Sequence, residues 1–278
     1  MTTLRIAFVV LIALAITGFL VHIWLRSAFE RKTRAAMQRV LTGGDMGPQR
    51  AVNLATIPEI VRRFAARAGV STAPPATGVY YRQAVEFRPG PGKPWGPLSA
   101  EQTTSFTEPG FVWYAEQRHG PFTFARIVDA FVAGKGFLQV RLLGSIPVAN
   151  FGGPQAAHDE LMRYLAELPW APDAIWHNPD LRWHDLGDNV VEVAADSIGG
   201  VARVRLYFNG DGDIVEMQAE ARGSTENGVV VRRPWRGVFS DYRDIGGRRI
   251  PRHGEVGYLY ADGYAPYFRG KIIDYRIE

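Results

Sequence analysis

The sequence predicts an α+β protein: a large, curved antiparallel β-sheet with helices on its concave face, preceded by one transmembrane helix. Three observations carry this. An uncharged apolar run opens the chain. Segments alternating apolar and polar residues then recur at short intervals, with turn signals between them and few helix-length crossovers. One amphipathic helical segment interrupts the series and would cover one face of such a sheet. The chain has 278 residues, 46% hydrophobic and 12% aromatic, enough for a sizeable core.

Composition narrows the function classes. The chain has no cysteine, which excludes a disulfide framework and any cysteine-based zinc site. The formal charge of +4 is mild for this length. A basic cluster beside the apolar run accounts for it, so we expect no nucleic-acid partner.

We divide the chain into an anchor (1–27), a juxtamembrane helix with a capped helix and linker (28–76), and a sheet domain with one inserted helix (77–278). The anchor centres on "IAFVVLIALAITGFLVHIW", residues 6–24. At ~1.5 Å per residue it spans about 29 Å, close to the hydrocarbon thickness of a bilayer. A secretory apolar core is shorter, and this run continues past Ala13 and Ala15, so we read an uncleaved anchor. His22 and Trp24 suit its interfacial end. "RSAFERKTRAAMQRVL" is rich in helix formers and extends the helix until "TGGDMGP" stops it. Arg26, Arg31, Lys32, Arg34 and Arg39 follow the span, whereas Arg5 alone precedes it. The positive-inside rule would therefore place the domain in the cytoplasm.

"TIPEIVRRFAARAGV" reads as a helix with a capping box from Thr56 to Glu59, Pro58 in its first turn and Gly69 as its stop. "STAPPATG" is a short, stiff linker. From Val79 the strands follow: "VYYRQAVEF", "GFVWYAEQR", "FTFARIVDAFV", "FLQVRLL", "NVVEVAAD", "VARVRLYF", "DIVEMQAEA", "GVFSDYR", "EVGYLY" and "KIIDYRI". "GKG", "IGG", "GDGD" and "ENG" supply turns. Between them, "GPQAAHDELMRYLAELPW" sets Leu161, Tyr164, Leu165 and Leu168 on one helical stripe. Pro169 and Pro172 end that helix, and Trp170, Trp176 and Trp183 gather beyond it.

Catalytic motifs are scarce. No G-x-S-x-G, P-loop or H-E-x-x-H occurs, and the glycines of "RPGPGKPWGP" alternate with prolines that lack the N–H groups a phosphate needs. His177 and His184 lie near Asp180 and Asp185, but no spacing fixes a metal geometry. "LYFNGDGDIVEMQAE" places Asn209, Asp211, Asp213 and Glu220 at calcium-loop intervals. Its sixth position, however, is Ile214 rather than glycine, and its flanks are strands, so we read a hairpin turn. We expect no cofactor and no metal. In "PWRGVFSDYRDIGGRRIPRHGEV", a hydrolase would use Asp241 as a base held by Arg243, with His253 beside it. The simpler reading is a hairpin turning at Gly246 and Gly247, with its charges on the solvent face.

The aromatic residues Phe111, Trp113, Phe122, Phe124, Phe131 and Phe137 fall in consecutive strands. They fill a core or line a cavity for an acyl chain or other hydrophobic small molecule. The candidate lining is Trp113, Leu161, Tyr164, Leu165 and Trp170.

Together, "LSAEQTTSFTEPGFVWYAE", "DAFVAGKGFLQVRLLGSIPV", "LMRYLAELPWAPDAI", "YFNGDGDIVEMQAE" and the "PWRGVF…" segment resemble an uncharacterised bacterial family of membrane-anchored proteins, which brings no assigned activity. "DYRDIGGRRIPRHGEV" is similar to the closing hairpins of LolA/LolB-type lipoprotein carriers. That similarity implies a half-barrel with helices on its concave face, holding acyl chains outside the cytoplasm. With no cysteine there is no lipobox, so a LolB-style lipid anchor is excluded. We therefore expect a non-enzymatic domain tethered by a single pass to the bacterial inner membrane. It would bind membrane lipid or another hydrophobic ligand in a curved-sheet groove, on the extracytoplasmic side despite the charge bias. The alternatives are a hydrolase using Asp241, Arg243 and His253, and a scaffold binding a protein partner at an exposed sheet edge.

Overall fold

The computed structural model describes residues 2–43, 50–71, 76–226 and 228–278. Two meanders make one sheet. The first is β1 (Gly78–Phe87), β2 (Gly96–Ser105), β3 (Phe111–His119), β4 (Phe122–Val132), β5 (Lys135–Leu142) and β6 (Ile146–Phe151). The second is β7 (Arg182–Gly187), β8 (Val190–Ser197), β9 (Gly200–Phe208), β10 (Ile214–Glu226), β11 (Val229–Ile245), β12 (Arg248–Tyr260) and β13 (Gly263–Ile277). β1 pairs antiparallel with β13, so the meanders join mid-sheet into one 13-stranded sheet with β6 and β7 at its edges. The sheet curls into a half-barrel.

Three of these strands are absent from the sequence reading. β2 is polar, and it forms because β1 and β3 pair with it on both sides. Its buried Gln102 and Thr104 bond each other at 3.0 Å, so sheet context overrides a poor strand composition. β6 and β7 are the short edges, where proline, charge and histidine weaken the alternation.

α1 (Thr2–Thr42) is one unbroken helix with two environments. Its first part is long and apolar enough to cross a membrane, and none of its most apolar stretch is buried. From Phe29 onward it lies on the convex face, where Phe29, Met37 and Val40 pack with Val112, Val128 and Ala130. The period-two alternation of a strand separates the faces: Val112 points to α1, while Phe111 and Trp113 point into the concave core. Residues 44–48 of the expected helix stop and 72–75 of the expected linker lie outside the described residues.

The capping box is corrected. Asn53 caps a single 3-10 turn (Leu54–Thr56), its Oδ1 accepting the Ala55 N–H at 3.1 Å. The Thr56 hydroxyl donates back to Asn53 O at 2.8 Å, and α2 (Glu59–Arg67) starts after Pro58 with no side-chain cap. Gly69 does end α2, with φ +83° and its N–H on Ala66 O at 3.0 Å.

α3 (Pro154–Ala166) opens with Pro154 in its first turn. A 3-10 turn (Leu168–Trp170) and α4 (Asp173–His177) follow. Leu161, Tyr164, Leu165 and Leu168 are fully buried, as the stripe predicts. α3 touches β4 and β5 on one flank and β8, β9 and β10 on the other, so it spans the open side of the curl. Its backbone meets the sheet at two glycines. A Cβ on Gly136 would stand 2.3 Å from Ala156 O, and one on Gly199 would stand 2.0 Å from Pro154 O. Gly136→Ala therefore must push α3 off β5. Overpacking of this kind costs about 1–3 kcal/mol. Urea denaturation should show that loss; an unchanged midpoint would mean that α3 is not held so close.

Candidate functional site

Between α3 and the concave face lies a cavity of about 950 Å³. Trp113, Trp170, Phe239 and Phe268 form its deep end, and Trp235, Tyr258 and Tyr267 one wall. The loop between β1 and β2 (88–93) borders its mouth with Val230 and Tyr260. Trp170 is fixed edge-on to Phe239, centroids 5.4 Å apart, and its Nε1 donates to Pro251 O at 2.8 Å. Gly254 makes room for that ring, since a Cβ there would lie 2.6 Å from it. Trp113 Nε1 donates to Gln83 Oε1 at 3.0 Å, which satisfies the indole where no water reaches.

Of the five candidate lining residues, Trp113 and Trp170 border the cavity. Leu161, Tyr164 and Leu165 lie on the other side of α3, in the closed core. There the Tyr164 hydroxyl donates to Ser105 O at 3.1 Å and accepts from Asn178 at 2.8 Å. The helix stripe that looks most like a ligand face thus faces the protein.

The cavity-facing side of α3 carries charge, which the sequence reading missed. Asp159, Glu160, Arg163 and Glu167 form a second stripe beside the apolar one. Arg163 bonds Asp129 at 2.6 Å and Glu167 at 2.8 Å, and its guanidinium lies 4.9 Å from the Phe111 centroid and 5.1 Å from that of Trp113. Arg222, from β10, meets both Glu160 oxygens at 3.2 Å and lies 4.6 Å from the Trp235 ring. Arg232 bonds Asp159 at 2.7 Å. The helical spacing of these charges was the available signal. An ordinary amphipathic helix turns such a stripe to solvent, and only the curl of the sheet brings it inside.

The carboxylates Asp129, Asp159, Glu160 and Glu167 face the guanidiniums Arg163 and Arg222, while Arg232 reaches Asp159 from the exposed side, so carboxylates outnumber guanidiniums. Burial pushes the Glu160 carboxyl well above the usual range; Asp129 beside it acts in the same direction, and Arg222 and Arg163 oppose. Asp129 Oδ1 meets no donor among the described residues, and burial together with the neighbouring Asp129 favours the protonated form of Glu160.

Asp241, Arg243 and His253 do come together. Arg243 Nε bonds Asp241 at 2.6 Å, and His253 Nδ1 lies 3.6 Å from Asp241. Asp241 takes φ +59° and, with Arg252 opposite, is left out of the β11–β12 pairing between Ser240–His253 and Tyr242–Pro251, while the register on either side is unchanged. The group sits on the face opposite Gly254 and Trp170, off the cavity wall. In the "NGDGD" hairpin, Asn209 Oδ1 accepts the N–H groups of Asp211 (3.0 Å) and Asp213 (2.9 Å). Gly212 provides the positive φ, +78°. Asp213 is bound by Arg249 at 2.8 Å and Arg67 at 3.1 Å, so this turn ties β10 to β12 and α2.

A model described as a family of unknown function, DUF6544, matches residues 48–270, and the chain belongs to that family. Comparison with curated proteins gives no match. Among solved structures, a LolA superfamily protein from Nitrosomonas europaea is 10% identical, with 78% of this chain and 93% of that one covered and a TM-score of 0.43. A DUF1329 family protein from Desulfovibrio piger is also 10% identical, with 79% and 91% covered and a TM-score of 0.46. A Vibrio parahaemolyticus domain described as an outer membrane lipoprotein-sorting protein has the same identity and coverage, with a TM-score of 0.47.

The raised Glu160 makes stability depend on pH with a definite sign. The folded state holds a proton that the unfolded state releases above the ordinary value near 4.5. Its contribution is complete below that value and is lost as pH rises through the raised one. Glu160→Gln keeps a neutral donor toward Asp129 at every pH, so the urea midpoint of the variant should fall less than that of the wild type as buffers become alkaline. Parallel profiles would show that Glu160 is ionised in the fold.

Proposed function

We propose that this DUF6544 protein is a membrane-tethered binder of a lipid or another hydrophobic ligand, held between α3 and the concave face of the sheet. The observation that carries this reading is the cavity of about 950 Å³. That size stands near the upper end of the ~300–1,000 Å³ usual for ligand pockets. Its walls are chiefly aromatic and aliphatic, and the charges on α3 that border it are paired with partners from the sheet or along the helix. An amphiphile suits such a site, with its chain against Trp113, Trp170 and Phe268 and its polar end toward the charged stripe of α3. Val140 borders the cavity and is half-buried, so Val140→Trp fills space at little cost to the core. Native mass spectrometry of the detergent-purified full chain should show an acyl-bearing adduct that V140W diminishes. A chain that never carries an adduct, or an adduct indifferent to V140W, would refute the proposal.

The tether belongs to the same reading. We place α1 across the bacterial inner membrane as a single pass, with the sheet domain outside the cytoplasm, where amphiphiles leaving a membrane need a carrier. The basic residues after the span oppose this placement by the positive-inside rule. A reporter enzyme active only outside the cytoplasm, fused after Glu278, should be active; a silent fusion that is present at normal level would reverse the topology.

A further inference from the structure

We infer that the rim of the half-barrel around the cavity mouth docks into the same bilayer leaflet that α1 enters, so that a lipid chain passes from membrane to cavity without crossing water. This rests on the tether reading of α1 and goes beyond it, by assigning a second membrane contact to the sheet domain.

The topology defines the rim. Because neighbouring strands are antiparallel, the turns β1–β2, β3–β4, β5–β6, β8–β9, β10–β11 and β12–β13 all lie at one end of the sheet. α1 leaves the domain at that end. His22 Nδ1 is 2.7 Å from Ser145 Oγ in the β5–β6 turn, and a Cβ on Gly144 would lie 3.1 Å from Arg26 Cγ. At the opposite end, Val40 and Leu41 lie beside Gly110 and Gly78. The last residues of the apolar span therefore stand level with the β5–β6 turn.

The same rim is unusually apolar for a protein surface. Phe122 is 74% exposed and Val229 62%, and Leu143, Ile146 and Val230 are exposed in the turns at the same end. These five come from three different turns, so no single hairpin explains the patch. Beyond this rim, strand β6, and Ile198 and Val201 beside the start of α3, the described exposed large hydrophobics of the sheet domain are Phe124, Leu186 and Ile273. Trp95, between the guanidiniums of Arg88 (4.7 Å) and Arg269 (4.4 Å), adds the aromatic and basic pairing that settles at the headgroup level. Exposed apolar side chains that recur in several turns at one end of a sheet mark an interaction site. The occupant is the bilayer because the membrane-crossing part of α1 is continuous with the patch and fixed beside it. Val230 and Phe151 are both exposed and both border the cavity, so the apolar surface runs into the mouth.

The absence of native cysteine makes a direct test possible. Single-cysteine variants F122C, I146C and V229C, labelled with an environment-sensitive fluorophore, are placed as full chains in phosphatidylcholine–phosphatidylglycerol vesicles carrying acyl-chain quenchers. Insertion to ~5–10 Å, the usual depth of an interfacial apolar face, should blue-shift all three and remove roughly half or more of their emission. A label at L186C, on the opposite end, should keep its emission. V10C, in the span, reports on the tether separately. Quenching at V10C without quenching at the rim overturns the docking while leaving the tether standing; no quenching at V10C removes the tether itself. Rim labels that shift with protein concentration but ignore the quencher would assign the patch to self-association and equally overturn the proposal.

Discussion

Everything in the domain depends on how α3 closes the curl. A sheet with β6 and β7 as free edges cannot bury its concave face alone, and these edges are consecutive in the chain. The chain therefore crosses the opening once between them, as α3, the 3-10 turn and α4. The crossing must be tight, because Leu161, Leu165 and Leu168 become core only when the helix reaches both flanks. Gly136 and Gly199 make that reach possible by letting backbone meet backbone.

Tight closure has an electrostatic consequence. A helix that contacts protein on two sides has little solvent face left, so its polar stripe goes inward with Asp159, Glu160, Arg163 and Glu167. Burying such charges is unfavourable unless each finds a partner. The sheet supplies them from both flanks: Asp129 and Gln102 on one, Arg222 and Arg232 on the other. These pairs also hold the space open. Were α3 to sink onto Trp113 and Trp235, Arg163 and Arg222 would lose the geometry that satisfies them. The charges act as struts, and an apolar cavity persists where aromatic side chains alone would close up.

Much of the fold was legible because period-two alternation and glycine-rich turns survive in ten of the strands. The polar β2 and the short edges β6 and β7 were not, since their strand character comes from neighbours distant in sequence. For the site, the aromatic residues were legible as a class, and the placement of α3 across the sheet was too. Its orientation was not. Helical periodicity shows that Leu161, Tyr164 and Leu165 share a face, but not whether that face meets a cavity or a core. The answer lies in Ser105 and Asn178, which take up the Tyr164 hydroxyl from the core side. The carriers of charge were visible as residues and misjudged as surface, because burial of carboxyls such as Glu160 and guanidiniums such as Arg222 can be recognised only when their partners are in place.

α1 converts this domain into an oriented one. A flexible tether would let the cavity mouth face any direction, and its residence near lipid would be a matter of effective concentration alone. Between Arg26 and Val40, however, the helix contains neither glycine nor proline, and Phe29, Met37 and Val40 seat it on the convex face. Bending there would break helical hydrogen bonds and expose those side chains at once. The apolar span and the sheet therefore move as one body. If α1 crosses a membrane as proposed, the convex-face packing, distant from the cavity and without chemistry of its own, decides which rim meets the lipid, and so gives the opening between α3 and the strands its direction.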